Sequence, residues 1–323
     1  MTESIAVGLQ GPGREWFGRL RLPVIAAPMF LLSGPDMVVA AAQAGIVGAF
    51  PTLNARTPQD LDAWLQAITT RIARIDAGGG CPGTWAANVV AHSTNPRLAQ
   101  DLDLLCQYRP PIVITALGSP RRVVEQVHAW GGLVIADVNS VAFAHKAIDA
   151  GVDGLLLVAS GAGGHTGHLS PFAFVETVRA FWDGPLVLAG SISTGRAVQA
   201  ALNLGADMVS IGTRFIAASE SMAHPDYKRM VIDAEFDDIL CTRAFTGAWA
   251  NMLRPSIVRA GLDPEHLQPA GPMNVTGDPH AGHRAWRDIW AAGHGVGLVR
   301  REQPLSDVVA ELAREFAQTR GHP

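Results

Sequence analysis

Between residues 22 and 222, short runs of almost unbroken apolar residues alternate with longer stretches in which apolar positions return every three or four residues. The runs are LPVIAAPM (22–29), GIVGAF (45–50), TWAANVV (84–90), PIVITAL (111–117), GLVIADV (132–138), GLLLVAS (154–160), PLVLAGS (185–191) and DMVSIGT (207–213). Runs of this kind suit strands buried on both faces, as in a parallel sheet covered by helices. The stretches between them carry helix punctuation. TPQDLDAWLQAITTRIARI opens on Thr57, Pro58 and early acids, and SPRRVVEQVHAW opens on Ser119 and Pro120. SVAFAHKAIDAG (140–151) and STGRAVQAALNLG (193–205) each end at a glycine suited to cap a helix.

Eight strand–helix units close naturally into a (β/α)8 TIM barrel, and that fold is expected, with a doubly wound open sheet as the alternative. The expected organisation is a barrel over residues 1–222. A helical and irregular C-terminal extension, 223–323, packs on it as part of one structural unit. Within the extension, AGPMNVTGDPHAGHRAW (270–286) is too rich in turn residues for a regular element.

Composition narrows the function. Charged residues are 17% of the chain and the net charge is −4, so no basic surface points to nucleic acid or to a membrane. No run of about 18 apolar residues predicts a membrane span. The first residues, MTESIAVGLQGPGREW, put acid and turn residues where a secretory leader needs basic and then apolar ones, so a cytoplasmic location is expected. Cys81, Cys106 and Cys241 are odd in number and far apart, which reads as reduced thiols. Lysine is confined to Lys146 and Lys228.

Barrel active sites lie at the C-terminal ends of the strands. The residues there are Ala27, Pro28 and Met29 on the first strand, Asn88 and then His92 on the third, Thr115 on the fourth, and Asp137 and Asn139 on the fifth. Gly190 with Ser191 and Gly212 with Thr213 end the last two. Paired Gly–hydroxyl ends before helices predict a phosphate site, because bare amides and a helix N-terminus favour an anion. The alternative is that these glycines only permit tight turns.

The sixth strand opens into SGAGGHTGH (160–168). His165 and His168, with His92 and Asp137, make four candidate metal ligands. No helix fixes the two loop histidines, however, and the first strand lacks the ligand pair of barrel metallohydrolases, so no metal is expected. His165, close to Gly164 and Gly167, suits proton transfer beside a flat ligand, whereas His168 suits the rim. His128 and His145 fall in helical patterns as surface residues. Neither lysine ends a strand, which argues against a Schiff base. Cys81 and Cys106 precede strands, at the wrong end for a nucleophile. A pocket without a nucleophile points to a cofactor that supplies the chemistry. GAGGHTG misses the dinucleotide-binding spacing.

The ordered set LPVIAAPM (22–29), AGGHTG (162–167), LAGSISTGRAVQAALNLGADMVSIGTRF (188–215), ESMAHPDYKRMV (220–231) and FTG (245–247) resembles the nitronate monooxygenase family, also called 2-nitropropane dioxygenases. These are FMN-dependent barrels related to flavin-dependent enoyl-acyl-carrier-protein reductases. The resemblance implies FMN as cofactor and oxidation of alkyl nitronates or nitroalkanes with O2 to a carbonyl compound and nitrite. It implies that backbone at Pro28 and Met29 borders the flavin ring and that Asn88 hydrogen-bonds it. It places Gly190, Ser191, Gly212 and Thr213 at the phosphate and lets the loop at Gly163 and Gly164 pass close to the flavin. His165 becomes the catalytic residue, as a base for the substrate α-proton or as a positioning group. This chain has Gly161 where the family often has an acid, Ser191 within its form of the AGGI motif, and Asp137 where some members carry lysine. The alternative function is an FMN-dependent NAD(P)H reductase or dehydrogenase of an enoyl or acyl thioester, or of a quinone. Met29, Phe30, Leu31 and Leu32, with Trp249 and Met252, are candidate pocket walls. The expected partners are a small-molecule substrate and O2, or NAD(P)H in the alternative; a homo-oligomer stays open.

Overall fold

The computed structural model describes residues 18–80, 83–271 and 285–319. The N-terminal segment, Cys81 and most of the turn-rich 270–286 stretch lie outside the described residues. Eight parallel strands close into a barrel: β1 (Val24–Ala26), β2 (Val47–Pro51), β3 (Trp85–Val90), β4 (Ile112–Ala116), β5 (Leu133–Val138), β6 (Gly154–Val158), β8 (Leu186–Ala189) and β9 (Met208–Ile211). Closure is made by β9 against β1, with Ile25 opposite Ser210. Each strand falls inside one of the apolar runs, except that β2 extends one residue past its own to Pro51, so the (β/α)8 expectation stands and the open sheet does not.

Successive side chains on a strand face opposite ways, which separates two cores. Ile25, Val47, Ala49, Ala86, Ile112, Ile114, Ile135, Leu156, Val187 and Met208 fill the barrel interior. The alternate residues, such as Val24, Phe50, Val113 and Val134, pack outward beneath the helices. Burying each Ile, Leu or Val contributes about 1.5–3 kcal/mol, so the filled interior is a foundation rather than a channel.

The helices are α1 (Pro35–Gln43), α2 (Pro58–Ala77), α3 (Leu98–Tyr108), α4 (Arg121–Ala129), α5 (Val141–Asp149), α6 (Pro171–Arg179) and α7 (Gly195–Asn203). Thr57 caps α2 through a reciprocal capping box with Asp60. Ser140 and Thr194 cap α5 and α7 by accepting from Phe143 N and Ala197 N. α4 differs from the expectation at Ser119: Pro120 is its N-cap, and no side chain caps it. Gly151 and Gly205, one residue past the caps of α5 and α7, have φ of +88° and +109°.

After β9 only the short α8 (Thr213–Ile216) follows. The remaining place in the outer ring is taken by α11 (Leu305–Thr319), which packs against α7 and α1. The α7–α11 approach is close enough that a Cβ on Gly195 would stand 2.2 Å from Leu312 O. Glu315 accepts from Gly195 N at 2.7 Å.

Beyond α9 (Pro225–Asp233) the extension is not only helical and irregular. It contains β10 (Ile239–Thr242) and β11 (Ala250–Leu253), ahead of α10 (Arg254–Arg259). β11 also pairs with a two-residue strand, β7 (Gly164–His165), in the loop after β6. Pieces of two to four residues carry no readable periodicity, which is why the sequence did not show them. Among the described residues no helix is long and apolar enough to cross a membrane.

Candidate active site

The mouth of the barrel gathers the C-terminal ends of β1, β3, β5, β6, β8 and β9 and part of the extension. Its floor follows from side-chain alternation. Asn88 and Asp137 lie two residues beyond the interior residues Ala86 and Ile135, so both face inward at the C-terminal end. Thr115 alternates with Ile114 and shares the outward face of Val113, so it leaves the set of mouth residues. Asn88 Nδ2 donates to Ile114 O at 3.1 Å, and Oδ1 has no hydrogen-bond donor among the described residues. Asp137 keeps partial exposure, but its Oδ1 is shut off from solvent and has no hydrogen-bond partner. Burial pushes its carboxyl up to about 7.

The turn after β1 is held by Asn54, a residue the sequence did not single out. Its Oδ1 accepts from Leu31 N at 2.8 Å, and its Nδ2 donates to Met29 O and Ser33 O at 3.0 and 2.8 Å. Leu31 has φ of +64°, a conformation that costs an L residue about 1–2 kcal/mol. These bonds offset that cost and fix Pro28 and Met29, both half-buried, at the strand end.

The loop after β6 is clamped to the extension. Ala250 pairs with His165 and Asn251 with Gly164. Asn251 Nδ2 donates to Ala162 O at 2.7 Å, and Thr166 N donates to Trp249 O at 3.0 Å. The His165 ring lies edge-on to Trp286, with centroids 5.2 Å apart, and its Nε2 is 3.0 Å from Thr246 Oγ1. Nδ1 has no hydrogen-bond partner among the described residues. Burial holds the His165 imidazole below its usual value, which favours the neutral ring. His168 is exposed. His92 bonds Thr94 at 2.8 Å instead of joining His165. Among the described residues no group of three or more His, Cys, Asp or Glu could hold a metal ion.

The loop glycines first make room for the extension. A Cβ on Gly163 would stand 2.8 Å from Gly293 N, and one on Gly164 would face the Trp286 ring at 3.2 Å. Behind them four small-residue segments converge: Ser160–Gly163, Gly190–Ser193, Gly212–Thr213 and Gly293–Gly295. Gly293 N donates to Thr213 Oγ1 at 2.8 Å and His294 N to Gly161 O at 3.0 Å. Ser191 is held at a φ of +59°, with its hydroxyl 3.2 Å from Ser160 O. Ser193 Oγ is buried without a partner. No hydrogen bond from lysine or arginine reaches this cluster among the described residues.

Lys146 lies on α5 above the Phe143 ring, and Lys228 pairs with Glu302 at 2.9 Å, so neither enters the mouth. Cys106 and Cys241 are free and exposed. Of the proposed walls, Phe30 and Trp249 are exposed, whereas Met252 is fully buried among Phe245, Ile257 and Ile289 and lines no open surface. Thr246 sits in the FTG motif without having been given a role. Trp286 and His294 carried no signal, because the turn-like residues around them show no period.

A family model described as nitronate monooxygenase matches residues 17–315. A nitronate monooxygenase of Paraburkholderia phytofirmans is 25% identical over 92% of this chain and 93% of its own. A Mycobacterium tuberculosis protein named (3aS,4S,5R,7aS)-5-hydroxy-7a-methyl-1-oxo-octahydro-1H-indene-4-carboxyl-CoA dehydrogenase is 27% identical over 77% of this chain and 68% of its own. The solved nitroalkane oxidase of Streptomyces ansochromogenes shares the fold, with a TM-score of 0.77 and 24% identity over 93% of this chain and 96% of its own. With the family model spanning nearly the whole barrel and the extension that clamps His165, this chain belongs to the nitronate monooxygenase family.

Proposed function

We propose that the chain is an FMN-dependent oxidoreductase that oxidises alkyl nitronates, and nitroalkanes after loss of the α-proton, with O2 to a carbonyl compound and nitrite. The observation that carries this reading is His165. Its imidazole is half-buried, which favours the neutral ring, its Nε2 is tied to Thr246, and its Nδ1 has no hydrogen-bond partner among the described residues. A neutral, oriented imidazole is the form that accepts a proton, and such a base typically contributes about 10² to 10⁴-fold.

A flat phosphate-bearing cofactor fits the residues around His165. The cradle of small residues has an orphaned hydroxyl at Ser193, and a side chain at Gly161, Gly293 or Gly295 would collide with the atoms that line it. Backbone amides at Gly190 and Gly212 and the hydroxyls of Ser191 and Thr213 are the groups that would hold the phosphate; the Ser191 amide donates to Gly161 O at 3.4 Å. Thr213 Oγ1 accepts from Gly293 N, and its own proton remains to be donated. Backbone at Pro28 and Met29, Asn88 Oδ1 and the loop at Gly163 and Gly164 would border the ring. Bound FMN supplies electron acceptance and the reaction with oxygen. His165 takes the α-proton at Nδ1, Thr246 holds the ring in place, and Trp286 with β11 shields the base from bulk water.

A second reading is an NAD(P)H-dependent reductase or dehydrogenase of an acyl or enoyl thioester. It is favoured by the carboxyl-CoA dehydrogenase relative. The discriminating experiment is nitrite release from propionate 3-nitronate and nitroalkanes in air, beside anaerobic mixing with NADH and NADPH. Nitrite without bleaching of the flavin supports the monooxygenase, and rapid bleaching without nitrite overturns it. A colourless protein that does not take up FMN overturns both.

A further inference from the structure

Among the described residues, the cradle behind the His165 loop has no lysine or arginine as a hydrogen-bonding partner, yet it holds one protonatable ring, His294. A Cβ placed on Gly161 would stand 2.1 Å from Ser191 Oγ and 2.8 Å from His294 Nδ1, so hydroxyl and imidazole converge on one point. The backbone on both sides of His294 is fixed: Gly293 N bonds Thr213 Oγ1, and His294 N bonds Gly161 O at 3.0 Å. Ser193 Oγ, buried and unpartnered, lies where a Cβ on Gly295 would fall, at 1.9 Å.

We propose that His294 binds the cofactor's phosphate as an imidazolium, so that flavin loading takes up a proton and weakens as pH rises. The proposal rests on the FMN reading above. A dianionic phosphate needs a counter-charge, and the small residues of the cradle supply only dipoles. Without the anion, burial holds the His294 ring below its usual value, so the ring is neutral when the cradle holds no phosphate. Binding the anion raises that value and draws in the proton. Other groups packed around His294 do not titrate into the cradle. The Phe236 ring lies edge-on at 5.0 Å. Glu235, before it, is paired with Arg300 at 2.8 Å, and Asp238 accepts from Glu235 N. Asp237 sits on the same turn, Phe236–Asp238. Among the described residues, the segments facing it, 160–163, 190–193 and 212–213, carry no acid or base; their polar side chains are the hydroxyls of Ser160, Ser191, Ser193 and Thr213.

The test is a binding titration of the flavin-stripped full chain with FMN and with riboflavin, which lacks the phosphate, at pH 6.5 and 8.5. Calorimetry in two buffers of different ionisation enthalpy counts the protons taken up. In the wild type the FMN Kd should rise about tenfold between the two pH values, as for loss of a charge-assisted hydrogen bond, while that of riboflavin stays level. His294→Gln should show the weaker FMN binding at both pH values with no proton uptake. His294→Arg should restore tight binding that no longer depends on pH. Equal FMN affinity in wild type and His294→Gln at pH 6.5, or no proton uptake by the wild type, overturns the proposal. FMN bound no more tightly than riboflavin overturns the phosphate cradle itself. Failure of the wild type to bind either flavin overturns the cofactor reading with it.

Discussion

Replacing Asp137 with asparagine should stabilise the flavin-free protein, by an amount that grows with pH. The carboxyl faces the barrel interior with Oδ1 unpartnered, and burial raises it from 3.8 to about 7. Its folded value therefore lies above its unfolded value. Between about pH 4 and pH 7 the folded chain keeps a proton that the unfolded chain has released, so stability falls as pH rises through that window and levels off above it. A shift of about 3 units corresponds to roughly 4 kcal/mol at pH 8 as an upper bound, and partial solvent access brings it towards half that. Asparagine has the same shape and no proton to lose. Urea midpoints of both proteins at pH 5, 6, 7 and 8 measure the difference directly. The advantage of Asp137→Asn should grow by about 1–3 kcal/mol from pH 5 to pH 8. A difference that is flat across this range, or that turns against the variant as pH rises, would refute an unpaired acid inside the mouth.

Other expectations follow from the same geometry. His165→Asn should cut nitrite release from a neutral nitroalkane by about 10² to 10⁴-fold while sparing preformed nitronate, and equal small losses on both would remove the base role. Because burial lowers the His165 value, the rise of kcat/KM with pH for a neutral nitroalkane should be centred below the ordinary histidine value; a rise centred above 7 contradicts it. Gly163→Ala would push a methyl group against the Ala292–Gly293 backbone, costing about 1–3 kcal/mol by urea denaturation and lowering flavin content. An unchanged midpoint counts against the close approach. Asn54→Ala should cost about 2–3 kcal/mol by the same assay, since it frees Leu31 from its left-handed turn and leaves buried carbonyls unpaired.

The barrel was legible because its strands are buried on both faces and so read as apolar runs, and because Thr57, Ser140 and Thr194 cap helices in the ordinary way. Inward alternation could also be read from Ala86 to Asn88 and from Ile135 to Asp137, though Thr115 shows that closeness to a strand end does not settle which way a side chain faces. The site was harder. His165 stood out by its glycines, but what holds it, Thr246 and Trp286, comes from segments with no period. The glycines themselves had a cause invisible in the sequence: Gly161, Gly163 and Gly164 make way for His294, Gly293 and Trp286, all far along the chain. Met252 reads as a pocket residue by hydropathy and proves to be core, because an apolar residue on a four-residue strand does not announce which face it joins.

The ring of helices around the barrel is completed by α11, the last described element of the chain, after the segment that pins His165. Assembly is therefore circular in time as well as in space. During synthesis, the flanks of α7 and α1 stay bare until residues 305–319 have left the ribosome. A chain released earlier leaves bare the Gly195 face of α7, which α11 covers through Leu312, Glu315 and Phe316, an open invitation to self-association or to a chaperone. Closing the outer wall last makes the finished barrel a checkpoint: a chain truncated before α11 leaves the α7 face uncovered.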